Sequence, residues 1–257
     1  MNDHGNAYYH TSIKDKFVNA DKDISIYRFL PLNYVIEMIQ DHELTIGQTQ
    51  NWDDCYENFL AKATFYWGQT PVCFNSFLPC FFGQCWTRTK ESDALWRIYS
   101  KDKQGVRIKT SINRLLEASI NEVDYDPFST ILRVAGKVQY LTEKGIFSWI
   151  NDLDKMKINS TTLVESLFIK RKEFNHEKEV RLLIQKTIKK EDEYKGTLKK
   201  HINLSIDPNI FIDEITFDPR INDKDYQTFS RVLKKIGYKN KINKSNLYTL
   251  RQFVFTE

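Results

Sequence analysis

The sequence lacks any run approaching the roughly 20 apolar residues that span a bilayer. Its opening segment, MNDHGNAYYHTSIKDKF, holds no apolar stretch of the signal-peptide kind, so a soluble, cytoplasmic protein with no membrane partner is expected. Neither sign of charge dominates. With 38 basic against 34 acidic residues the net charge is +4, too balanced to predict nucleic-acid binding by itself. Cysteine is sparse: Cys55, Cys73, Cys80 and Cys85 form no C-x-x-C pair and have no histidine at ligand spacing. Reduced structural thiols are therefore expected, with a zinc site as the minor alternative. His176 and Glu177 begin a zincin-like pattern, but Val180 stands where the second histidine belongs. The phosphate-binding turns G-x-G-x-x-G and G-x-x-x-x-G-K-[ST] are absent, which removes Rossmann and P-loop readings. No repeat, low-complexity linker or boundary interrupts the chain, so a single domain over 1–257 is expected, with a polar arm over 1–20.

What is present suits a packed core, since 41% of the 257 residues are hydrophobic and 14% aromatic. Strands are expected at ISIYRF (24–29), ELTIGQ (43–48), LPCFFGQCWTRT (78–89), GVRIKT (105–110), HINLSI and IFIDEITFDP, with one or two more in TILRVAGKVQYL. Helical spacing marks PLNYVIEMIQDH, a segment over about 56–67, ESDALWRIYSK, SINRLLEASI, most of 145–170, and NDKDYQTFSRVLKKIGY with its terminal glycine stop. KTIKKEDEYKGTLKK reads as a solvated charged connection. Strands and helices mix without regular alternation. The fold class expected is α+β, with a mixed, mostly antiparallel β core and flanking helices.

Two acidic segments stand out. In FNHEKEVRLLI, side chains along an extended strand alternate, so Val180, Leu182 and Ile184 point one way and Glu177, Glu179 and Arg181 the other. That pattern fits either an edge strand with a solvated face or a catalytic carboxylate pair. In WDDCYE, Asp53, Asp54 and Glu57 place three carboxylates in five residues. With Glu177 or Glu179 they would suit Mg²⁺ in a phosphodiester-cleaving enzyme, while acidic residues just before a helix more often serve as caps. A non-catalytic module that binds a nucleotide or a partner is a third reading.

Four blocks in order carry a resemblance: IYRFLPLNYVIEMIQDHELTIG with WDDCYE; CWTRTKESDALWRIYSKDKQGVRI; FIKRKEFNHEKEVRLLI; and IDEITFDP. Together they resemble the bacterial family known as domain of unknown function 2971, over roughly residues 26–218. Asp53, Cys55, Thr87, Arg97 and Ile98 depart from that family's pattern, and the helix loses a histidine. The same ordered features are more distantly similar to the R-S-E class of ADP-ribosyltransferases.

That second resemblance implies an ADP-ribosyltransferase-like fold and NAD as substrate, with ADP-ribose passing to a protein, a nucleic acid or water. It also implies roles for named residues. Glu179 would grip the ribose, Glu177 would orient or deprotonate the acceptor, Arg28 would hold a phosphate or the adenosine ribose, and Thr87 would support the carboxylate. Tyr27, Trp96 and Tyr99 would stand near the cofactor, with core packing as the other reading of Trp96 and Tyr99. No resident metal is implied. An NAD-consuming enzyme of this kind would act as a toxin or phage-defence effector, whereas its oligomeric state is left open by the sequence.

Overall fold

The computed structural model describes residues 24–120, 130–153, 158–186 and 200–250. The expected arm over 1–20 and nearly all of the charged connection (187–199) lie outside the described residues. The chain divides into two compact units. The first runs over Leu44–Arg88 and Ser111–Ser205, with residues 24–26; the second over Tyr27–Glu43, Thr89–Thr110 and from Ile206 on.

Thirteen strands are formed among the described residues: β1 (Ser25–Leu30), β2 (Glu43–Gln48), β3 (Thr64–Trp67), β4 (Thr70–Cys73), β5 (Phe81–Thr87), β6 (Val106–Ser111), β7 (Thr130–Lys137), β8 (Gln139–Leu141), β9 (Ile169–Arg171), β10 (Glu179–Lys186), β11 (His201–Ser205), β12 (Glu214–Phe217) and β13 (Lys241–Lys244). The fold class is α+β.

In the first unit the strand order is β11-β2-β5-β10-β7, and β5, β10 and β7 are antiparallel neighbours. β10 is therefore a central strand. Seven of its eight residues are buried, so both faces are covered and the edge-strand expectation is corrected. The physical reason is pairing on both sides: Val180, Leu182 and Ile184 pack on one face. On the other, Leu183 joins a cluster with Phe81, Leu132, Val134 and Phe168 beside the charged residues. Gly83 lies opposite Leu183 in the register. A β-carbon there would stand 2.7 Å from Trp52, 2.8 Å from Leu183 and 2.9 Å from Thr49, so only glycine admits the indole at this point.

Two expected helices give way to strands. The segment over 56–67 forms a 3₁₀ turn, Cys55–Asn58, and one helical turn, Phe59–Lys62. It then enters the β3–β4 hairpin, whose turn uses Gly68 at φ 61°. The β-branched and aromatic run Thr64 to Trp67 favours the pleat over a helix. Likewise 145–170 holds helices Glu143–Asn151 and Ser160–Ser166 but ends in β9, which pairs in parallel with β8.

The second unit orders its strands β1-β6-β12-β13, with β12 antiparallel to β6 and parallel to β13. Helix Leu32–Asp41 ends on His42 in the left-handed region, φ 56°. Helix Asp93–Tyr99 is capped by Ser92, and Asp223–Lys235 by Asn222, with Gly237 at φ 104° beyond its end as the expected glycine stop.

A candidate active site built on buried carboxylates

The end of β5 and the start of β10 set the site. Their register places Glu179 opposite Thr87 and Arg181 opposite Cys85, so these side chains share one face. Arg181 is 0% exposed at its side chain. Its Nε and Nη2 donate to Glu179 Oε2 at 2.9 and 2.7 Å, its Nη1 to the Leu167 carbonyl at 2.6 Å, and its Nη2 also to Glu57 Oε1 at 2.5 Å. Trp52, admitted by Gly83, covers the guanidinium with its ring centroid 4.4 Å away. Arg181 is thus the hub that the sequence left without a role. Glu57, from WDDCYE, reaches the same centre.

β9 delivers a residue that the sequence reading passed over. Lys170 faces Tyr140 across the β8–β9 register. Its Nζ lies 2.5 Å from Glu177 Oε2, 3.2 Å from Glu179 Oε1 and 3.2 Å from Glu57 Oε1, with the Phe174 ring centroid at 4.7 Å. A helical reading of LFIKRKEF gives that lysine no fixed partner, and one signal remained: a lysine closing an apolar run seven and nine positions before the two glutamates.

Glu177 does not belong to the strand. It ends the 3₁₀ turn Lys172–Glu177, and Lys178, in the left-handed region at φ 45°, reverses the chain before β10 begins. The two glutamates therefore converge through Lys170 rather than through strand alternation, which corrects the geometric expectation while keeping the pair together. Thr87 Oγ1 donates to the main-chain carbonyl of Glu177 at 2.5 Å, and Arg88 N to the carbonyl of Lys178 at 3.1 Å, pinning the turn to β5. The Glu179 amide donates to the Tyr140 hydroxyl at 2.8 Å.

Electrostatics divide the pair. Burial disfavours the Glu179 anion, but Arg181 and Lys170 outweigh it and hold the carboxyl below the usual carboxylate range. For Glu177 burial prevails over Lys170, and the neighbouring Glu179 charge adds to it, so its carboxyl is raised. Side-chain exposures of 14% for Glu177, 8% for Glu179 and 7% for Lys170 leave Glu177 the most accessible of the three. Burial, then the Glu179 charge, pushes the Cys85 thiol up to about 12, and burial lifts Tyr140 to about 12. Both are neutral near pH 7. Three carboxylates thus meet two cations.

The WDDCYE carboxylates do not gather. Asp53 is exposed. Asp54 caps the 3₁₀ turn through the Tyr56 amide at 3.1 Å and pairs with Arg171 at 3.0 Å, while Glu57 is spent on Arg181 and Lys170. No group of three His, Cys, Asp or Glu among the described residues has the geometry to hold a metal ion. Cys73, Cys80 and Cys85 carry reduced thiols rather than disulfides.

The other expected residues lie in the second unit. Arg28 is half-buried on β1. Tyr27 is buried beneath the Arg107 guanidinium, 5.2 Å from its centroid. Trp96 is fully buried, edge-on to Phe29 with centroids 4.7 Å apart, and donates through Nε1 to Glu91 at 2.9 Å. Tyr99 is 43% exposed.

Residues 95–182 match the family DUF2971. Its description is that of a protein of unknown function. The matched stretch contains Lys170, Glu177, Glu179 and Arg181. No curated protein matches the chain. Solved structures similar to it include DarT of Thermus sp. 2.9 in complex with ADP-ribosylated ssDNA, with NAD+ and with carba-NAD+. In each case the TM-score is 0.38 at 10% identity, over 87% of this chain. The share of the DarT chain covered is 94% in the first and 96% in the other two. Among the described residues no helix is long and apolar enough to cross a membrane.

Proposed function

We propose that the chain cleaves the nicotinamide–ribose bond of NAD and passes the ADP-ribose to a protein, a nucleic acid or water. One observation carries this reading: two carboxylates held by one buried lysine, with environments that push their protonation in opposite directions. Bond cleavage leaves positive charge on the ribose, and the bonding pair departs with nicotinamide, which is neutral and needs no acid. A carboxylate that stays ionised stabilises that charge, the task of Glu179. The acceptor then bonds to the anomeric carbon and surrenders a proton to a carboxylate of raised affinity, the task of Glu177.

Thr87 keeps Glu177 in place by fastening its carbonyl. Arg28 is the candidate for a phosphate or the adenosine ribose. Action as a toxin or phage-defence effector follows from the same chemistry, because uncontrolled consumption of NAD harms the cell that makes the enzyme.

Etheno-NAD fluorescence and transfer of labelled ADP-ribose to extract, tRNA or DNA test the proposal. Glu179→Gln is expected to lower turnover by roughly 10²-fold or more, the scale for losing one charge-stabilising group. Wild-type protein inert toward NAD with every acceptor would remove the NAD reading and leave a binding module or a metal-dependent nuclease.

A further inference from the structure

Lys170 has no assigned role, yet its ammonium is the one group among the described residues that contacts Glu57, Glu177 and Glu179 together. Arg181 bonds to Glu57 and Glu179 and not to Glu177. The two cations therefore divide their work. Arg181 closes a compact pair with Glu179, and Lys170 ties Glu177 to it.

We propose that Lys170 is the positioning residue of the carboxylate pair: through one ammonium it draws Glu177 against Glu179 and, as the sole cation on Glu177 among the described residues, governs how readily Glu177 takes up a proton, while Arg181 keeps Glu179 ionised. The reaction served by this arrangement rests on the NAD reading above; the arrangement itself does not.

Charge counting shows why one lysine is enough. Glu57, Glu177 and Glu179 carry three negative charges against two on Lys170 and Arg181, so the cluster holds one more anion than its cations neutralise. Among the described residues, the further titratable groups against the cluster are Cys85 on β5 and Tyr140 on β8, both neutral, while the nearby Arg171 is balanced by Asp54. A proton entering the cluster goes to the carboxylate with least cationic support. Glu177 answers to Lys170, whereas Glu179 has Arg181 through two nitrogens as well. Phe174 lies against the ammonium and the Lys170 side chain is only 7% exposed, a low-dielectric setting that strengthens the lysine's pull on both anions.

The test needs no substrate. Carboxyl-labelled glutamate in the full chain is titrated by NMR, with Glu177→Gln identifying the Glu177 signal. Removing a nearby cation favours the protonated form, so Lys170→Gln is expected to raise the Glu177 midpoint by about one pH unit or more, a tenfold change in proton affinity. Lys170→Arg is expected to restore most of it. A Glu177 midpoint in Lys170→Gln within about 0.3 pH unit of wild type overturns the proposal, since such a shift is worth only a twofold change in affinity. If Lys170→Gln does not fold, the double variant Lys170→Gln/Glu177→Gln, which brings the cluster back from two excess anions to the single excess anion of the wild type, is expected to recover cooperative unfolding. Failure to do so overturns the proposal equally. A protein inert toward NAD but with the expected titration would defeat the enzymatic reading and leave Lys170 in this role; active protein with an unmoved midpoint would do the reverse.

Discussion

Both units bury arginine, and they treat it differently. In the second unit Arg107 is matched with Glu214 at 2.7 Å, and its Nη1 and Nη2 also donate to the Lys90 carbonyl and the Thr216 hydroxyl. Arg220 likewise takes Asp218 through two nitrogens and finishes on the carbonyls of Trp96 and Ser100. These are arginine–carboxylate pairs closed by neutral partners, the arrangement of a scaffold. The first unit instead gathers three carboxylates around two cations. An anion in excess under burial is costly, and it is the kind of arrangement that the proposed NAD chemistry would use.

The largest expected effect separates the two arginines. Arg181→Leu leaves Glu57 and Glu179 buried with only Lys170 between them, and should cost about 3–5 kcal/mol in denaturant unfolding. Arg107→Leu leaves only Glu214, which keeps Lys241 at 3.4 Å, and should cost less. An equal or larger loss at Arg107 would break the comparison.

Neutralising a carboxylate should even reverse sign between the units. Glu214→Gln removes the anion its arginine needs and should cost roughly 1.5–3 kcal/mol. Glu177→Gln removes the excess anion and should leave stability unchanged or raise it, while acceptor-dependent turnover falls about 10²-fold or more. Loss of stability comparable to that of Glu214→Gln would show that Glu177 is structural.

The pH dependence follows from the same pair. Glu179, held below its ordinary value of 4.5, contributes stability that is present above that value and lost as pH falls through its folded one. Glu177, raised above 4.5, contributes stability that is present below that value and lost as pH rises through its folded one. Melting temperatures over about pH 3–8 should lose the acid limb in Glu179→Gln and the upper limb in Glu177→Gln. Swapped limbs would reverse the proposed roles.

These contrasts also mark what the sequence made legible. Periodicity is local, so helix Asp93–Tyr99, starting at Ser92 or Asp93, and helix Asp223–Lys235 with its glycine stop could be read directly, while which of Ser92 and Asp93 caps the first is fixed by the structure, where Ser92 accepts from the Leu95 amide. The pairing of Glu177 with Glu179 could also be read, though for a different geometric reason. Lys170 could not, because its position depends on β9 meeting β8, a tertiary pairing that overrides the helical pattern of the segment before it. Arg181 and Glu57 are 124 residues apart, and nothing local announces their contact. Gly83 belongs with them: its need is set by Trp52, 31 positions earlier, and Gly83→Ala should cost about 1–3 kcal/mol by forcing the indole off Arg181.

The smallest effect is expected at Asp54, and it decides between two chemistries. Asp54 Oδ1 accepts from the Tyr56 amide and from Arg171, whose guanidinium is about one-third exposed and lies over the Tyr56 ring at 4.7 Å. Asparagine preserves the cap and sacrifices only a partly exposed ion pair, so Asp54→Asn should cost under about 1 kcal/mol and leave NAD turnover intact. A Mg²⁺-dependent nuclease built on Asp53, Asp54 and Glu57 requires the opposite, since replacing a ligand carboxylate by an amide weakens a hard-cation site. Metal-dependent nucleic-acid cleavage that vanishes in Asp54→Asn, with NAD untouched by wild type, would transfer the active site from the β5–β10 carboxylates to the WDDCYE loop.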